Sequence, residues 1–269
     1  MAITALHSAA TGLSALSTQL DVISNNLANV NTDGFKASRA NFQDLLYVEK
    51  AQPGVENANG DKRPTGLYVG LGVKVSGTQV DFSQGSLINT GQELDIAIEG
   101  KGFFQVQVEN DRAPNGIAYT RAGNFTLNQD GELVLANDQG RRLEPNITIP
   151  DQVESISISA DGRVLALVSG DSQAQEVGQI QLARFINPTG LKQIGENLYA
   201  ETDASGTPTT SNPTENGLGL LRQSFVEGSN VNPTRELIGL IRTQRAFEMN
   251  SQTIRTADQA LQTVAQLGR

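Results

Sequence analysis

Several residue types that carry chemistry are scarce or missing in this 269-residue chain. It contains no cysteine, no tryptophan, two methionines and a single histidine, His7. Without cysteine there can be neither a disulfide framework nor a thiolate metal site, and one histidine cannot supply a histidine-rich metal site. The sequence also lacks a phosphate loop ending in Gly-Lys-Ser/Thr and a Gly-x-Ser-x-Gly nucleophile. We therefore expect a protein that is not an enzyme and that uses no cofactor and no metal ion.

Basic residues are also missing where a secretory signal would need them. The first lysine or arginine is Lys36, so residues 1–35 lack the basic start of a cleaved signal peptide. No apolar run approaches the ~18 residues of a membrane-spanning helix. The net charge of −9 argues against binding to nucleic acid, because that binding needs clustered cations. We expect neither a nucleic-acid partner nor a small-molecule substrate.

Glycine and proline are nearly missing from both ends of the chain. Of 27 glycines and nine prolines, 24 glycines and eight prolines lie between Asn31 and Asn232. Within that middle, apolar and polar residues alternate in short runs, and Asp130-Gly131 and Asp161-Gly162 are hairpin turn signals. The pattern predicts an α+β fold. Long N- and C-terminal helices would form a coiled-coil-like pair, and an all-β middle domain of many short strands would be inserted between them.

The same distribution of glycine and proline predicts the domain boundaries. The expected parts are residues 1–34 plus 229–269 as a terminal helical polymerisation domain, 35–66 as a linking segment with an extended or hairpin insertion, and 67–228 as a β-rich outer domain. Within the outer domain, continuous β patterns predict two longer strands, at 177–186 and 218–226.

Residues 2–30 have the spacing of a helix that packs against other helices. Two rows of apolar residues repeat every seven positions over four repeats: Leu6, Leu13, Leu20 and Leu27 in one row, and Ala9, Leu16, Ile23 and Val30 in the other. The turn sequence Asn31-Thr32-Asp33-Gly34 would end the helix, with Gly34 suited to a left-handed cap.

Residues 233–267 predict a second long helix. Asn232 is a good N-cap, and Pro233 suits the first helical position, where its missing N–H would have no partner. Two rows again repeat in sevens: Leu240, Phe247, Ile254 and Leu261, and beside them Thr243, Asn250, Ala257 and Val264, with Leu237, Ile241 and Leu267 widening the face. We expect Gly34, Gly228 and Pro233 to act as hinges between the helices and the β region.

One helix packed against a single other helix leaves much of each apolar face in water. A helical hairpin within one chain is the simpler interpretation, but ordering the backbone would make the isolated pair marginally stable. We infer termini that are mobile in the monomer and fold on polymerisation, with asparagine amides setting the register and His7 in a structural or interface role. The expected subunit interface comprises Leu6, Leu13, Leu16, Leu20, Ile23, Asn25, Asn26, Leu27, Asn29, Val30, Leu237, Leu240, Phe247, Asn250, Ile254, Leu261 and Val264.

Five blocks of the sequence resemble characteristic motifs of the bacterial flagellar rod and hook family. They are Ser-Asn-Asn-Leu-Ala-Asn-Val-Asn-Thr-Asp-Gly-Phe-Lys at 24–36, Gly-Lys-Gly-Phe-Phe at 100–104, Tyr-Thr-Arg-Ala-Gly-Asn-Phe at 119–125, Ser-Asn-Val-Asn at 229–232 and Gln-Arg-Ala-Phe-Glu-Met-Asn at 244–250. The blocks extend over nearly the whole chain, and their combination is highly specific for the family.

Two further stretches, 42–47 and 194–199, are most similar to the distal-rod members of that family. The segment from Glu49 to Thr65 resembles a stretch that distal-rod members have and most hook proteins lack, and that is associated with a straight, rigid tube. The resemblance thus implies a rigidity segment that includes Glu49, Gln52, Pro53, Gly54 and Pro64. Its Gln-Pro-Gly is retained here, whereas the sequence after it departs from the family pattern.

The resemblance implies a structural subunit of the distal rod in the flagellar basal body. Such subunits are exported unfolded through the flagellum-specific channel without a cleaved signal. They polymerise into a rigid, hollow helical tube across the periplasm, with the terminal helices inside and the β domain outside. The tube would transmit torque from motor to hook and conduct exported subunits. The implied partners are further copies of the chain, proximal rod proteins, the hook protein or hook–rod boundary, the peptidoglycan and outer-membrane ring proteins, and the export apparatus.

Two alternatives remain open at this point. A proximal rod protein or a short hook protein would belong to the same family and share most of these motifs. A trimeric coiled-coil fibre or adhesin would use the heptads in a different assembly. Such a fibre forms discrete soluble trimers, whereas a rod subunit gives monomers or open-ended tubes.

Overall fold

The computed structural model describes residues 2–56, 61–150, 152–170 and 173–267. It has an N-terminal helix, a C-terminal helix and a middle of many short strands, which confirms the predicted α+β class. The chain divides into two compact units. Unit 1 comprises the described residues of Met1–Ala28, Ser38–Val80 and Asn232–Arg269, and unit 2 comprises Asn29–Ala37 and the described residues of Asp81–Val231.

Unit 1 contains both helices, α1 at Ala2–Ala28 and α2 at Pro233–Leu267. The helices pack along each other in opposite directions, because Gly12 lies beside Asn250 whereas Gly239, nearer the start of α2, lies beside Ile23. Neither helix is long and apolar enough, over its described residues, to cross a membrane.

An N-cap sets the start of α2, and a turn sets the end of α1. The Asn232 side-chain oxygen accepts a hydrogen bond from the Arg235 N–H at 3.1 Å, which is the expected N-cap of α2. The first helix ends at Ala28, two residues before the predicted end at Val30. The reason is a turn that begins at once, in which the Thr32 N–H bonds to the Asn29 carbonyl at 3.3 Å.

Four strands complete unit 1: β1 at Ser38–Asp44, β2 at Tyr47–Ala51, β3 at Leu67–Gly70 and β4 at Val73–Val80. Strands β1 and β4 are antiparallel, with a bulge after Asn41, and α1 packs against both. Strands β2 and β3 form a separate antiparallel pair. We call the described residues of 45–72 the ribbon.

The contact-based units differ from the domain scheme expected from the sequence. Residues 35–66 were expected to link the helical domain to an outer domain at 67–228, yet β1 and β4, from either side of that boundary, both pack on α1. His7 Nδ1 lies 2.9 Å from the Leu71 carbonyl oxygen, and Ser8 and Thr11 of α1 also contact residues 70–73. A period of two identifies a strand but not the element it packs on, so the sequence pattern placed β3 and β4 with the other strands.

Unit 2 is built from short strands that pair antiparallel wherever they pair. In its described residues they are β5 Leu87–Asn89, β6 Ile96–Glu99, β7 Phe103–Gln107, β8 Ile117–Thr120, β9 Phe125–Leu127, β10 Leu133–Leu135, β11 Leu143–Glu144, β12 Val153–Ile158, β13 Arg163–Val168, β14 Gln175–Gln179, β15 Leu182–Arg184, β16 Lys192–Gly195, β17 Leu198–Ala200, β18 Thr209–Ser211, β19 Leu220–Gln223 and β20 Phe225–Glu227. Single 3₁₀ turns lie at Pro114–Gly116 and Pro188–Gly190.

The largest sheet has the order β16-β17-β8-β7-β15-β18, and β11 also pairs with β7. The other strands of unit 2 form a three-stranded sheet, β12-β13-β14, and three pairs, β9-β10, β6-β19 and β5-β20. The two predicted hairpins form β9-β10 and β12-β13, with Gly131 and Gly162 at positive φ. The two predicted longer strands are each divided. Strands β14 and β15 pair in different sheets, and Ser224, with φ of 65°, separates β19 from β20.

The alternation of side chains along the strands gives unit 2 two apolar clusters. In β7, Phe104 and Val106 enter the larger cluster, whereas Phe103 points to the other face. There Phe103 meets other aromatic rings in edge-to-face contacts, among them Phe82, Phe185 and Tyr199. Unit 2 therefore has a closed core on one face of its main sheet and an aromatic cluster on the other.

Candidate assembly surfaces

The helix contact buries one face of each helix within unit 1. On α1, Ala9, Ala15 and Ile23 are buried, and the leucines of the expected seam are half-buried: Leu6, Leu13, Leu16, Leu20 and Leu27. A Cβ built on Gly12 would lie 3.0 Å from Asn250 Nδ2, so glycine brings the helices close. The buried or half-buried members of the expected α2 rows are Leu240, Thr243, Asn250, Ile254 and Ala257.

A second face of α2 is apolar and exposed. Its large side chains, each more than a third exposed, are Leu237, Ile238, Ile241 and Met249. Phe247 and Leu261 share the heptad row of the half-buried Leu240 and Ile254, and so lie on the side that faces α1, but each is 38% exposed. Val264 is in α2, but its side chain lies outside the described part. The apolar residues of α2 thus exceed what one helix partner covers.

The asparagines near the end of α1 have separate environments. Asn26 is buried and is bonded to Ser38 at both ends of its amide: Nδ2 donates to the Ser38 carbonyl at 2.8 Å, and Oδ1 accepts from the Ser38 N–H at 2.9 Å. The expected amide contact between helices is therefore replaced, for Asn26, by a contact with β1 of the same chain. Asn25 is exposed, and Asn29 and Val30 are half-buried.

The ribbon exposes aliphatic and aromatic side chains on a two-stranded support. Leu46 is 82% exposed, and Tyr47, Val48, Val55, Leu67 and Tyr68 are also exposed. The Tyr47 ring lies over Gly70, where a Cβ would be 3.3 Å from it, and the Tyr68 ring covers Gly66. Two-stranded ribbons are marginally stable in water, so the aromatic cover of these glycines helps to hold this one together.

The expected rigidity segment lies at the far part of the ribbon. Glu49 is in β2 and accepts a hydrogen bond from the Tyr68 hydroxyl at 3.4 Å. The Gly54 N–H donates to the Arg63 carbonyl at 2.8 Å, so the two sides stay paired beyond the strands. Gln52, Pro53, Gly54 and Pro64 are all exposed. Residues 57–60 of the predicted segment lie outside the described residues.

Two of the three expected hinge residues are tightly packed within unit 2. Gly34 has φ of 69° and donates its N–H to the Glu227 carbonyl at 2.7 Å. A Cβ on Gly34 would lie 2.5 Å from the Ala122 nitrogen, so the position needs glycine for space as well as for conformation. The Gly228 N–H bonds to the Ser86 carbonyl at 2.9 Å. Pro233, the third, is the first residue of α2.

An ionic cluster in unit 2 escaped the sequence analysis. Lys36 Nζ lies 2.6 Å from Glu227 Oε1, and Arg121 Nε lies 2.8 Å from Glu227 Oε2. Burial lowers the pKa of Lys36, and the Glu227 carboxylate opposes that shift. Each residue stands in or next to a motif block, but a sequence cannot indicate which distant charges meet.

One cleft in unit 2 has a volume of about 410 Å³ and is lined by aromatic, aliphatic and basic side chains, among them Phe82, Lys101, Phe103, Arg184 and Ile186. Its lining contains neither a carboxylate nor a histidine. Lys101 therefore has no acidic or imidazole partner within the cleft for acid–base or nucleophilic catalysis. Over the ranges that the structure describes, no three His, Cys, Asp or Glu side chains group as a metal site would need.

Three family models match the chain. A model described as Flagella basal body rod protein matches residues 6–36, one described as Flagellar hook protein FlgE/F/G D1 domain matches 97–166, and one described as Flagellar basal body rod FlgEFG protein C-terminal matches 222–267. Curated relatives match along nearly the full length. The Flagellar basal-body rod protein FlgG of Buchnera aphidicola subsp. Schizaphis graminum is 47% identical over 258 residues, 96% of either chain.

Relatives named Flagellar basal-body rod protein FlgG in Caulobacter vibrioides and Bacillus subtilis are 46% and 39% identical, each over 98% of both chains. The chain belongs to the family of flagellar basal-body rod proteins. This confirms the resemblance carried by the motif blocks. The family is a structural class, and the chain is a structural subunit of the flagellar basal-body rod.

The parts matched by the rod family models coincide with the surfaces described above. Residues 6–36 include most of α1 and Lys36, and residues 222–267 include α2 and Glu227. The model for residues 97–166 covers Arg121 and the strands around the larger apolar cluster. Rod proteins assemble into a polymer, so the exposed apolar face of α2 and the ribbon are its candidate contacts with neighbouring copies.

Proposed function

We propose that this rod subunit polymerises into the distal part of the rod, a rigid, hollow helical tube that transmits torque from motor to hook and conducts exported subunits. The observation that carries the proposal is the distribution of exposed apolar residues. Sixteen large apolar side chains are exposed in the described residues, and all except Ile88, Ile186 and Leu220 belong to unit 1. Exposed patches of this size mark contact sites.

Two elements of unit 1 supply complementary kinds of contact. Side chains on the exposed face of α2 can insert between the side chains of helices in neighbouring copies, which is knobs-into-holes packing. The ribbon offers aromatic and aliphatic side chains on both sides of a narrow arm, and contact with a second copy would cover it. We assign stiffness of the tube to the ribbon, through Glu49, Gln52, Pro53, Gly54 and Pro64.

The remaining parts of the proposal follow from the family. The subunit acts without catalysis, and no cofactor takes part. Besides further copies, its partners are the neighbouring proximal rod proteins, the hook protein or hook–rod boundary, the peptidoglycan and outer-membrane ring proteins, and the export apparatus. The tube crosses the periplasm, and its subunits are exported without a cleaved signal. The relatives named as rod proteins favour this function over a soluble trimeric fibre.

The exposed face of α2 is tested by Leu237→Glu in the full chain. Glutamate keeps helix propensity but puts a charge where a neighbouring helix would pack. We expect polymer yield, measured by sedimentation and electron microscopy, to fall at least about tenfold, because one buried unpaired charge costs more than the ~1.4 kcal/mol of a tenfold change.

Ile186→Glu is the matched control, because Ile186 is 93% exposed and lies in unit 2. It should polymerise like the wild type. Circular dichroism of both variants should match that of the wild type, so that loss of folding is not mistaken for loss of contact. Unchanged polymer yield for Leu237→Glu would contradict the assignment of this face to assembly.

The distal position is tested separately by shortening the ribbon. Joining Ala51 to Leu67 through a two-residue Asn-Gly turn keeps the β2–β3 pair, including Glu49, and removes the rest of the rigidity segment with Gln52, Pro53, Gly54 and Pro64. A distal-rod subunit should still polymerise but give curved or more flexible tubes in electron micrographs. Straight tubes of unchanged stiffness would favour a proximal rod or hook protein of the same family.

A further inference from the structure

Four of the sequence blocks that carry the family resemblance meet at one buried site in unit 2. They contribute Lys36, the carbonyls of Gly100 and Gly102, Arg121, and Asn230. Glu227, two residues before the fourth block, stands at the centre. In sequence, Lys36 and Glu227 are 191 residues apart. Blocks so widely separated that converge on one cluster indicate a shared task, which assembly through the helices does not explain.

Both oxygens of the Glu227 carboxylate accept hydrogen bonds from neighbouring groups. Oε1 accepts hydrogen bonds from Lys36 Nζ at 2.6 Å and from the Gly85 N–H at 2.8 Å, and Oε2 accepts from Arg121 Nε at 2.8 Å. Lys36 donates a further bond to the Ser83 carbonyl at 2.8 Å. The Lys36 and Glu227 side chains have no solvent exposure. The cluster therefore depends on its own partners, without water, to balance its charges.

The charges in the cluster are unequal. Two buried cations, Lys36 and Arg121, share the single carboxylate of Glu227. A buried charge without its partner is strongly destabilising. Before Glu227 is in place, closing this site would therefore bury two cations that repel each other. The carboxylate is the component on which closure depends.

The backbone around the cluster joins the two segments by which the chain enters and leaves unit 2. The Ala37 N–H donates to Asn230 Oδ1 at 2.7 Å, and Asn230 Nδ2 donates to the Asp81 carbonyl at 2.8 Å. The Gly34 N–H bonds to the Glu227 carbonyl. A Cβ on Gly85 would lie 2.0 Å from the Gly228 carbonyl oxygen, so this crossing admits only glycine.

We propose that Lys36, Arg121 and Glu227 form a completion clasp, which closes unit 2 only when the C-terminal part of the chain has arrived. A chain emerges from its N-terminus, so both cations precede the carboxylate, Lys36 by 191 positions and Arg121 by 106. An incomplete chain thus lacks the partners of the Gly34 and Ala37 N–H groups, which are the Glu227 carbonyl and the Asn230 side chain. The clasp acts within unit 2 and does not depend on a distal position in the rod.

The order of closure can be measured on the full-length wild-type monomer. During refolding from urea, pulsed hydrogen exchange read by NMR would follow the amides of Gly34, Ala37 and Gly228 and, for comparison, those of Phe104 and Val106 in the main sheet. The clasp predicts that the first group becomes protected after the second, by at least about threefold in time. Simultaneous or earlier protection of the first group would overturn the proposal.

The role of charge is tested with Glu227→Gln, Lys36→Met and the double variant. In Glu227→Gln the clasp amides should exchange at least about 100-fold faster, because breaking a buried ion pair costs several kcal/mol, while the Phe104 amide changes less. The double variant removes one of the uncompensated cations and should restore at least about tenfold of that protection. If the carboxylate acted only as a hydrogen-bond acceptor, Lys36→Met would give no rescue, and that result would also overturn the proposal.

Glu99→Gln is the matched control for these variants. Glu99 pairs with Arg222 at 2.8 Å, but both side chains are about half exposed, and exposed pairs contribute little. Exchange at the clasp amides should stay within about twofold of the wild type in this variant. The wild-type refolding experiment decides the order of closure even if Glu227→Gln fails to fold.

Discussion

Units 1 and 2 of this chain differ most in where their large apolar side chains lie. In unit 2 they fill two clusters and only three are exposed, whereas unit 1 exposes many and buries, beyond alanine, only Ile23 and Val80 in its described residues. The two units therefore suit different surroundings. Unit 2 satisfies its own apolar residues, and unit 1 leaves them available for other copies.

The polar contacts repeat this difference. The cluster around Glu227 is buried inside unit 2, while the polar residues of the ribbon, such as Glu49 and Tyr68, bond at the surface. Both arrangements suit the proposed export of the subunit in an unfolded state. A self-contained unit can fold first, and a unit with exposed apolar faces can become fully stable only in the polymer.

The largest expected difference between the units comes from a matched pair of phenylalanines. Phe104 is fully buried in unit 2, and Phe247 is 38% exposed on α2. Phe104→Ala should cost the monomer about 3–5 kcal/mol in unit 2. Phe247→Ala should cost unit 1 only about 1–2 kcal/mol, because the partly exposed Phe247 ring buries less apolar area in the monomer than the Phe104 ring does. Hydrogen exchange of the monomer in urea, resolved by unit, gives both values. Equal losses of stability from the two substitutions would contradict the difference between the units.

The helices, the strand-rich middle and the hairpin turns could be predicted because their signals are local. Heptads place Leu13 and Leu20 on one helix face, and Asp161-Gly162 has its own turn chemistry. The sequence did not indicate that β1 and β4 pack on α1, because a strand pattern carries no information about its partner. It also did not indicate which members of one α2 row are covered, since Phe247 and Leu240 have the same heptad position but differ in exposure.

The candidate sites show the same limit. The exposed apolar residues of α2 could be identified as surplus from their number alone. The role of Asn26 could not, because an amide suits a helix interface and a backbone contact equally well, and the loop that brings Ser38 to it is a tertiary feature. The cluster of Lys36, Arg121 and Glu227 required distances that only the fold supplies.

Asn26→Ala should give the next largest loss of stability, and the loss should be confined to unit 1. The change removes both partners of the Ser38 backbone at a buried position, so unit 1 should lose about 1–3 kcal/mol. Hydrogen exchange at Ser38 and along β1 would rise, while amides of β7 and β8 stay unchanged. Ser24→Ala, at an exposed position of α1, is the control. A loss spread equally over both units would contradict the independence that the comparison assumes.

Alkaline pH should weaken unit 2 through its aromatic cluster. Burial, and then the charge of Glu227, raise the pKa of Tyr199 from its usual 10.0, and burial raises the pKa of Tyr119 to about 12. The neutral phenols are favoured in the folded state, so their contribution to stability is present below pH 10 and is lost as pH rises through the folded-state pKa values.

Tyr199→Phe isolates this effect within the aromatic cluster. Above pH 10 the slope of unfolding free energy against pH should become less negative by up to about 1.4 kcal/mol per pH unit, the value for one proton. Urea unfolding of the monomer between pH 9 and 11.5 measures it. Lys36 and Tyr119 are shared by both proteins, so the difference between them reports Tyr199. Parallel curves would show that the hydroxyl titrates as it does in water.

The smallest expected effect is at Met249, which is 65% exposed on α2. Met249→Gln keeps length and helix propensity, so the stability of the monomer should stay within about 0.5 kcal/mol of the wild type. In the polymer the same side chain would be covered by another copy, and the amide would then have to be buried without an assured partner. The critical concentration for polymerisation should therefore rise, by roughly threefold to thirtyfold. A variant that destabilised the monomer as much as the polymer would mean that α2 already buries Met249 alone, and the division between a self-sufficient unit 2 and an outward-facing unit 1 would fail at that residue.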